Sequence, residues 1–205
     1  VLKLSKTSKM PCCSFALPAG DECITGRKLM ALPGSVCKSC YARKGHSHYP
    51  AVKAVRTENL RLTREALKGK AARGKWVADM VKLIADTKSA WFRWHDSGDL
   101  QSAPHLRMIS EVCRLTPDVI HWLPTREYKF VQMVQQVEKL PENLTVRLSA
   151  HLVGKVLESK LPTSSVGSLA GYQCPATYNT ESDGQCLDCR ACWDKKTVNI
   201  DYRKH

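Results

Sequence analysis

The chain has 205 residues, ten of them cysteine, a formal net charge of +13 and 43% hydrophobic residues. This is enough for one domain with a real core and ordinary for a soluble fold, and no run approaches the about 20 apolar residues of a membrane span. The basic start "VLKLSKTSKM" has no apolar segment behind it, so no signal peptide and a cytoplasmic location are expected. In that reducing compartment ten cysteines point to metal rather than to disulfides.

Residues 1–50 read as an irregular arm rich in Pro, Gly and Ser ("MPCCSFALPAGDEC", "ALPGSVC"). Residues 51–68 predict an amphipathic helix with Pro50 just before it, and 75–88 a second, with Trp76, Met80, Leu83 and Ile84 on one stripe. A rhythm follows: a strand running into a loop at 90–99, a helix over "APHLRMISEVCRL", a strand and loop at 118–127, a helix over "YKFVQMVQQVEKL", a strand at 143–153, and a short strand at 164–170. Strands alternating with helices predict a parallel sheet with helical crossovers. From 173 the chain is again cysteine-rich and irregular. The expectation is a single α/β domain over 1–205, with an arm (1–50), a body (51–172) and a tail (173–205) that packs against the arm. A full eightfold barrel takes about 250 residues, so an incomplete or truncated TIM-like barrel is expected first and an open three-layer sandwich second.

The cysteines are patterned. "CKSC" places Cys37 and Cys40 at one Cys-x2-Cys step, and "CLDCRAC" places Cys186, Cys189 and Cys192 at two. Such a step lets two thiolates turn toward one metal from a single loop. Tetrahedral zinc sites usually use two such pairs. Three thiols at successive steps, with Cys174 followed by proline, are closer to iron–sulfur loops, although the order is not that of ferredoxins. A [4Fe-4S] cluster is therefore expected, with structural zinc as the alternative and unligated thiols behind both. The Cys-x3-Cys-x2-Cys run usual in radical S-adenosylmethionine enzymes is missing, which disfavours that chemistry. Cys113, inside an apolar helix pattern, reads as a buried hydrophobe.

Chemistry in α/β sheets gathers where strands end. Three such places are polar: "RWHDSGD" (Arg93, His95, Asp96, Ser97, Asp99), "HWLPTRE" (His121, Thr125, Arg126, Glu127) and "RLSAH" (Arg147, Ser149, His151). Strand alternation puts Arg93 and His95 on one face. His95 with Asp96 suits general acid–base work, and Arg126 and Arg147 suit a carboxylate or phosphate. Asp96 and Asp99 serve equally well as caps of the next helix. Ser149 lacks the Gly-x-Ser-x-Gly elbow of a nucleophile, and no phosphate-binding glycine loop is present. His95, Asp96, Asp99, Arg126 and Arg147 are the catalytic candidates around a small-molecule substrate. The densest basic run, 53–75, suggests either a solvated helix face or a nucleic-acid surface, and some of the charge suits a negative thiolate-bound cluster.

The segments "CSFALPAGDECITGRKL", "PGSVCKSCYARKG", "FRWHDSGDLQS", "TPDVIHWLPTREY", "NLTVRLSAHLV" and "CLDCRACWDKKTVNIDYRKH" together resemble the bacteriophage and prophage gene product eighty-eight family, from about residue 8 to the end. The resemblance implies an iron–sulfur protein in the cytoplasm of the infected host, with a barrel-like α/β body. It implies the ligand set Cys13, Cys23, Cys37, Cys40, Cys174, Cys186, Cys189 and Cys192, with Cys12 and Cys113 as extras. It leaves the reaction open between redox, radical and hydrolytic (ester cleavage) chemistry. A metal-stapled nucleic-acid-binding protein is the alternative.

Overall fold

The computed structural model describes residues 1–45 and 49–204; positions 46–48 of the amino-terminal arm and position 205 lie outside it. The chain is mixed α/β around one eight-stranded sheet in the order β1-β2-β3-β4-β5-β6-β8-β7. The strands are β1 (Ser5–Lys6), β2 (Cys13–Phe15), β3 (Trp91–Trp94), β4 (Ile120–Thr125), β5 (Leu144–Ser149), β6 (Thr163–Val166), β7 (Tyr172–Gln173) and β8 (Asn199–Tyr202). Only β1 pairs antiparallel, with β2; every other neighbour is parallel. The two arms are thus part of the sheet, supplying β1 and β2 at one end and β7 and β8 at the other.

Helices fill the crossovers: α1 (Ile24–Met30), α2 (Pro50–Ala66) and α3 (Lys70–Asp86) between β2 and β3, α4 (Ala103–Leu115) before β4, and α5 (Tyr128–Gln135) before β5. A short α6 (Pro175–Tyr178) lies in the tail. Helix α4 starts where Ser102 accepts from the His105 amide and Pro104 occupies the first turn, which needs no amide there. Helix α3 begins five residues earlier than the expected start at 75, at Lys70 after Gly69.

Alternation along each strand makes two cores. Phe15, Phe92, Trp94, Leu123, Leu144, Val146 and Leu148 meet α2–α5 in one, centred on Trp76, Met80, Leu106 and Ile109. The opposite, inner face (the helix-bearing one being the outer) carries Trp91, Trp122 and Ile200, and packs against Cys12, Cys174, Cys192 and Trp193. Helices α2–α5 therefore line one face and the cysteine-rich tail covers the other, unlike the second expectation, a three-layer sandwich with helices on both faces. No helix of the described residues is long and apolar enough to cross a membrane.

Candidate metal centres and active site

The ten cysteines are all free of disulfides, and the structure sorts eight of the nine clustered ones into two groups, leaving Cys13 with the helix-side core. The first lies at the carboxyl ends of the parallel strands, on the loop after β2. Cys23 immediately precedes α1, Cys37 sits in a 3-10 turn (Val36–Ser39), and Cys40 links it to the next (Tyr41–Arg43). Burial pushes the Cys23 thiol up to about 12, with Asp99, Cys40 and Cys37 adding to the rise. Burial also raises Cys37, opposed by Arg126 and reinforced by Cys40, Asp99 and Glu127. Gly26 keeps a space open between two of these thiols: a Cβ there would lie 3.7 Å from both the Cys23 and Cys37 sulfurs and 2.8 Å from the Cys23 Cβ. The two sulfurs are thus no further apart than twice 3.7 Å.

Strand ends hold this loop. Glu127, just after β4, accepts from the Thr25 amide and hydroxyl, both at 2.7 Å, which fixes α1. The Val36 amide donates to the His151 carbonyl after β5. Asp99 is buried and accepts from the Thr125 hydroxyl (2.6 Å) and the Arg126 amide (2.9 Å), tying the ends of β3 and β4. Burial raises its carboxyl to about 6, against those hydrogen bonds. The turn before it needs Gly98: at φ +77 it meets Leu17 so closely that a Cβ would fall 2.6 Å from the Leu17 Cβ. Beside Cys40, Tyr41 donates to the Asp96 carbonyl (2.8 Å), and Arg93 donates to the Tyr41 hydroxyl (3.3 Å). Several buried polar atoms here have no partner among the described residues: Asp96 Oδ1, Ser97 Oγ, Arg56 Nε and Arg93 Nε.

The second group lies on the inner face of the sheet, where arm and tail meet. The Cys186 amide donates to the Lys9 carbonyl. Burial raises Cys186, and Cys174 and Cys189 push it further. Burial pushes Cys12 and Cys192 to about 12, with Cys186 adding to the first and Cys174 to the second. Arg93 opposes the rise at Cys12, Cys186 and Cys192, so one guanidinium, stacked 4.4 Å over the Trp122 ring, serves this group while bonding Tyr41 of the other.

The expected site residues separate accordingly. Cys12, not Cys13, joins the tail thiols; Cys13 shares the outer face with Phe15 and packs toward the helices. Cys113 is fully buried in that same core, as its helix pattern requires. Asp99 and Arg126 gather at the first thiol group, whereas the Asp96 carboxylate stands by Arg56, and Asp96 meets the loop only through its backbone carbonyl, at Tyr41. Nor does His95 join the group: at φ +53 the backbone leaves the strand alternation, and the ring lies 5.4 Å from His105 on the helix side. Burial holds His95 neutral, well below the usual histidine range. Arg147 stands on the inner face, fully buried, donating to the carbonyls of Thr163, Thr197, Ala191 and Asp194. It clamps the tail and has no donor left on its two terminal nitrogens for a further carboxylate. A cavity of about 1170 Å³ opens at the other ends of the strands, by Trp91, Ile120, Asn143, Thr145 and Cys189.

No three His, Cys, Asp or Glu among the described residues are drawn together tightly enough for a single metal ion. A lone zinc would bring thiolates to about 3.8 Å of one another, given its Zn–S length of about 2.3 Å. A four-iron cube spaces its thiolates wider than a lone zinc does.

Fold and site together define an α/β protein with sequential parallel strands, three cysteines at the strand ends and five on the inner face. The model of the family described as Gene product 88 matches residues 2–195, and the chain belongs to that family. Neither the curated proteins nor the solved structures yield a significant match.

Proposed function

We propose that this protein is an iron–sulfur enzyme of the redox class with two [4Fe-4S] centres on an incomplete TIM-like barrel. The observation that carries the reading is the division of its thiols. Cys174, Cys186, Cys189 and Cys192 supply the four thiolates of a saturated cluster, with Cys12 beside them, and Cys23, Cys37 and Cys40 supply three of a second. The first suits a structural or electron-relay role. The second leaves one iron without a protein ligand, at the strand ends where a small-molecule substrate is expected. Arg93, Arg126 and Arg147 are placed to offset the negative charge of thiolate-held clusters.

A hydrolytic role has less support. The Ser149 hydroxyl accepts from Ser164 (3.1 Å), while the His151 ring stacks on Tyr128 with Nε2 at the Arg126 carbonyl. That gives no serine–histidine pair. The nucleic-acid reading also weakens, because five of the eight basic residues in 53–75 form ion pairs: Arg56, Arg61, Arg64, Lys68 and Lys75.

Anoxically purified protein is expected to be brown and to hold about eight irons and as many sulfides per chain, two four-iron clusters. Cys37→Ala with Cys40→Ala, and Cys186→Ala with Cys189→Ala, should each remove about half. Zinc as the only metal would end the proposal.

A further inference from the structure

The cavity of about 1170 Å³ lies at the amino ends of the parallel strands, away from the strand-end thiols. Its floor is aromatic. Trp91, the half-buried first residue of β3, meets the buried Trp193 ring at 5.7 Å. Tyr172, the first residue of β7, is 45% exposed at the mouth, its hydroxyl 3.4 Å from the Cys189 sulfur. Cations stand on two walls. On one, Arg114 donates to the Lys139 carbonyl (3.0 Å) and Lys195 to the Pro141 carbonyl (3.3 Å), which gathers three positive side chains about the loop between α5 and β5. On the other, the Arg190 guanidinium lies 5.9 Å from the centre of the Trp91 ring. Arg114 shares Glu138 with Arg107, and Arg190 Nη1 holds its own loop at the Leu187 and Cys189 carbonyls. Lys139 Nζ and Arg190 Nε and Nη2 bond no described residue. Among the described residues only two carboxylates line the cavity, Glu142 and Asp194. Asp194 is turned to its own loop, accepting from the Lys196 amide and the Thr197 hydroxyl, both at 2.9 Å.

We infer that this cavity binds a short stretch of single-stranded nucleic acid. Tyr172 offers its face to an unpaired base, the Arg190–Trp91 pair gives a second flat surface, and Arg114, Lys139 and Lys195 take the phosphates. Size bears on the class of ligand. Small-molecule sites run to about 300–1,000 Å³, so this larger cavity suits a few linked units of a chain. Chemistry narrows it further, because cations facing one another across an aromatic floor answer both halves of a nucleotide, the charged phosphate and the flat base. An acidic peptide would satisfy the cations and leave the exposed Tyr172 ring without a counterpart. A duplex would keep its bases stacked on one another, out of reach of that ring. The site is separate from the basic run 53–75, none of whose residues line it. Most cations of that run are ion-paired, whereas Lys139, Arg190 and Lys195 form no ion pair among the described residues. The inference stands apart from the iron–sulfur reading and calls on no metal.

The test uses the anoxically purified, full-length protein and a fluorescein-labelled oligothymidylate of about eight nucleotides, within the span of such grooves. Binding is followed by fluorescence anisotropy at several salt concentrations. The expected result is binding whose log–log dependence on salt has a slope of about −2 to −3, as three or four phosphate contacts on a single strand require. Lys139→Gln should make that slope shallower by about 0.7. Tyr172→Leu should raise Kd about tenfold, whereas Tyr172→Phe, which keeps the ring and loses only the hydroxyl at Cys189, should bind like the wild type. Lys53→Gln with Lys70→Gln, both in the 53–75 run, should change Kd far less than Lys139→Gln does. A strand that does not bind overturns the inference, and so does binding that resists both Lys139→Gln and Tyr172→Leu. Competition by thymidine monophosphate, by a duplex of the same length or by polyglutamate, as strong as that of the unlabelled strand, overturns it in favour of a small anion, a duplex or an acidic peptide respectively.

Discussion

The two thiol groups are held by opposite means. On the inner face the tail is fixed to the sheet by several buried hydrogen bonds, although Arg147 Nε and Trp122 Nε1 have no partner among the described residues. Arg147 grips four carbonyls, Thr145 donates to the Trp193 carbonyl (2.6 Å), and Trp193 Nε1 donates to the Phe92 carbonyl (2.9 Å). The Trp193 ring packs edge-on against Trp91 and Trp122. At the strand ends the thiols ride on a long loop pinned at a few points, chiefly Thr25 to Glu127 and Val36 to His151. Polar atoms around it are left open. A centre with all its ligands from protein can be packed shut, whereas one that must admit a ligand needs room and unsatisfied groups.

The contrast can be broken most forcefully at Arg147. Arg147→Met keeps much of the volume but leaves four inner carbonyls without their donor. The expected loss is about 3–5 kcal/mol, roughly a 10 °C fall in Tm for a chain of this size. Iron should be lost from the tail centre in the same variant. Cys37→Ala, at the strand ends, should shift Tm far less; equal shifts would mean that the two sites are held alike.

The helix-side core, which backs both sites, should respond to acid instead. Burial lowers His105 to about 3 and His121 to about 4, the latter partly restored by its contact with Thr116. Both are therefore neutral in the fold. A histidine depressed on folding contributes fully above its unfolded pKa of about 6.5, and that contribution is lost as pH falls toward the folded value. Stability measured by urea unfolding should decline from about pH 6.5 downward, and His105→Gln should flatten the decline. An unchanged slope would show that carboxylates govern the acid limb.

What could be read in advance follows the same division. Helix α4 and strands β3–β5 were legible because each repeats apolar residues at its own period over several turns or pleats. Strand β2 was not: Cys13–Phe15 is three residues long, amid Pro- and Gly-rich chain, and offers no alternation to count. Strand β8 hides likewise in the cysteine-rich tail. The tail thiols could be grouped because short steps in one loop keep them together. Cys23 could not be assigned to Cys37 and Cys40, since thirteen residues and a helix intervene. The choice between Cys12 and Cys13 turns on strand alternation in an element that could not be seen. The position of His95 depends on one left-handed residue, and Arg147 looks like a ligand-binding fork until the tail's carbonyls are in place around it.

The finest probe of the contrast is Glu127→Gln. The native carboxylate receives both hydrogen bonds of Thr25, one to each oxygen. Glutamine preserves the size and one acceptor, but its amide nitrogen must now face the Thr25 hydroxyl, and the charge near the start of α1 is gone. The expected loss is about 1 kcal/mol, felt locally. Because α1 carries Cys23 at its start while the tail is anchored elsewhere, the consequence should be selective. Hydrogen exchange should quicken in α1 and leave β8 unchanged, and a chelator should strip the strand-end iron sooner while tail iron persists. If both pools of iron were lost together, the loop and the tail would be one cooperative unit, and the independence of the two centres would have to be given up.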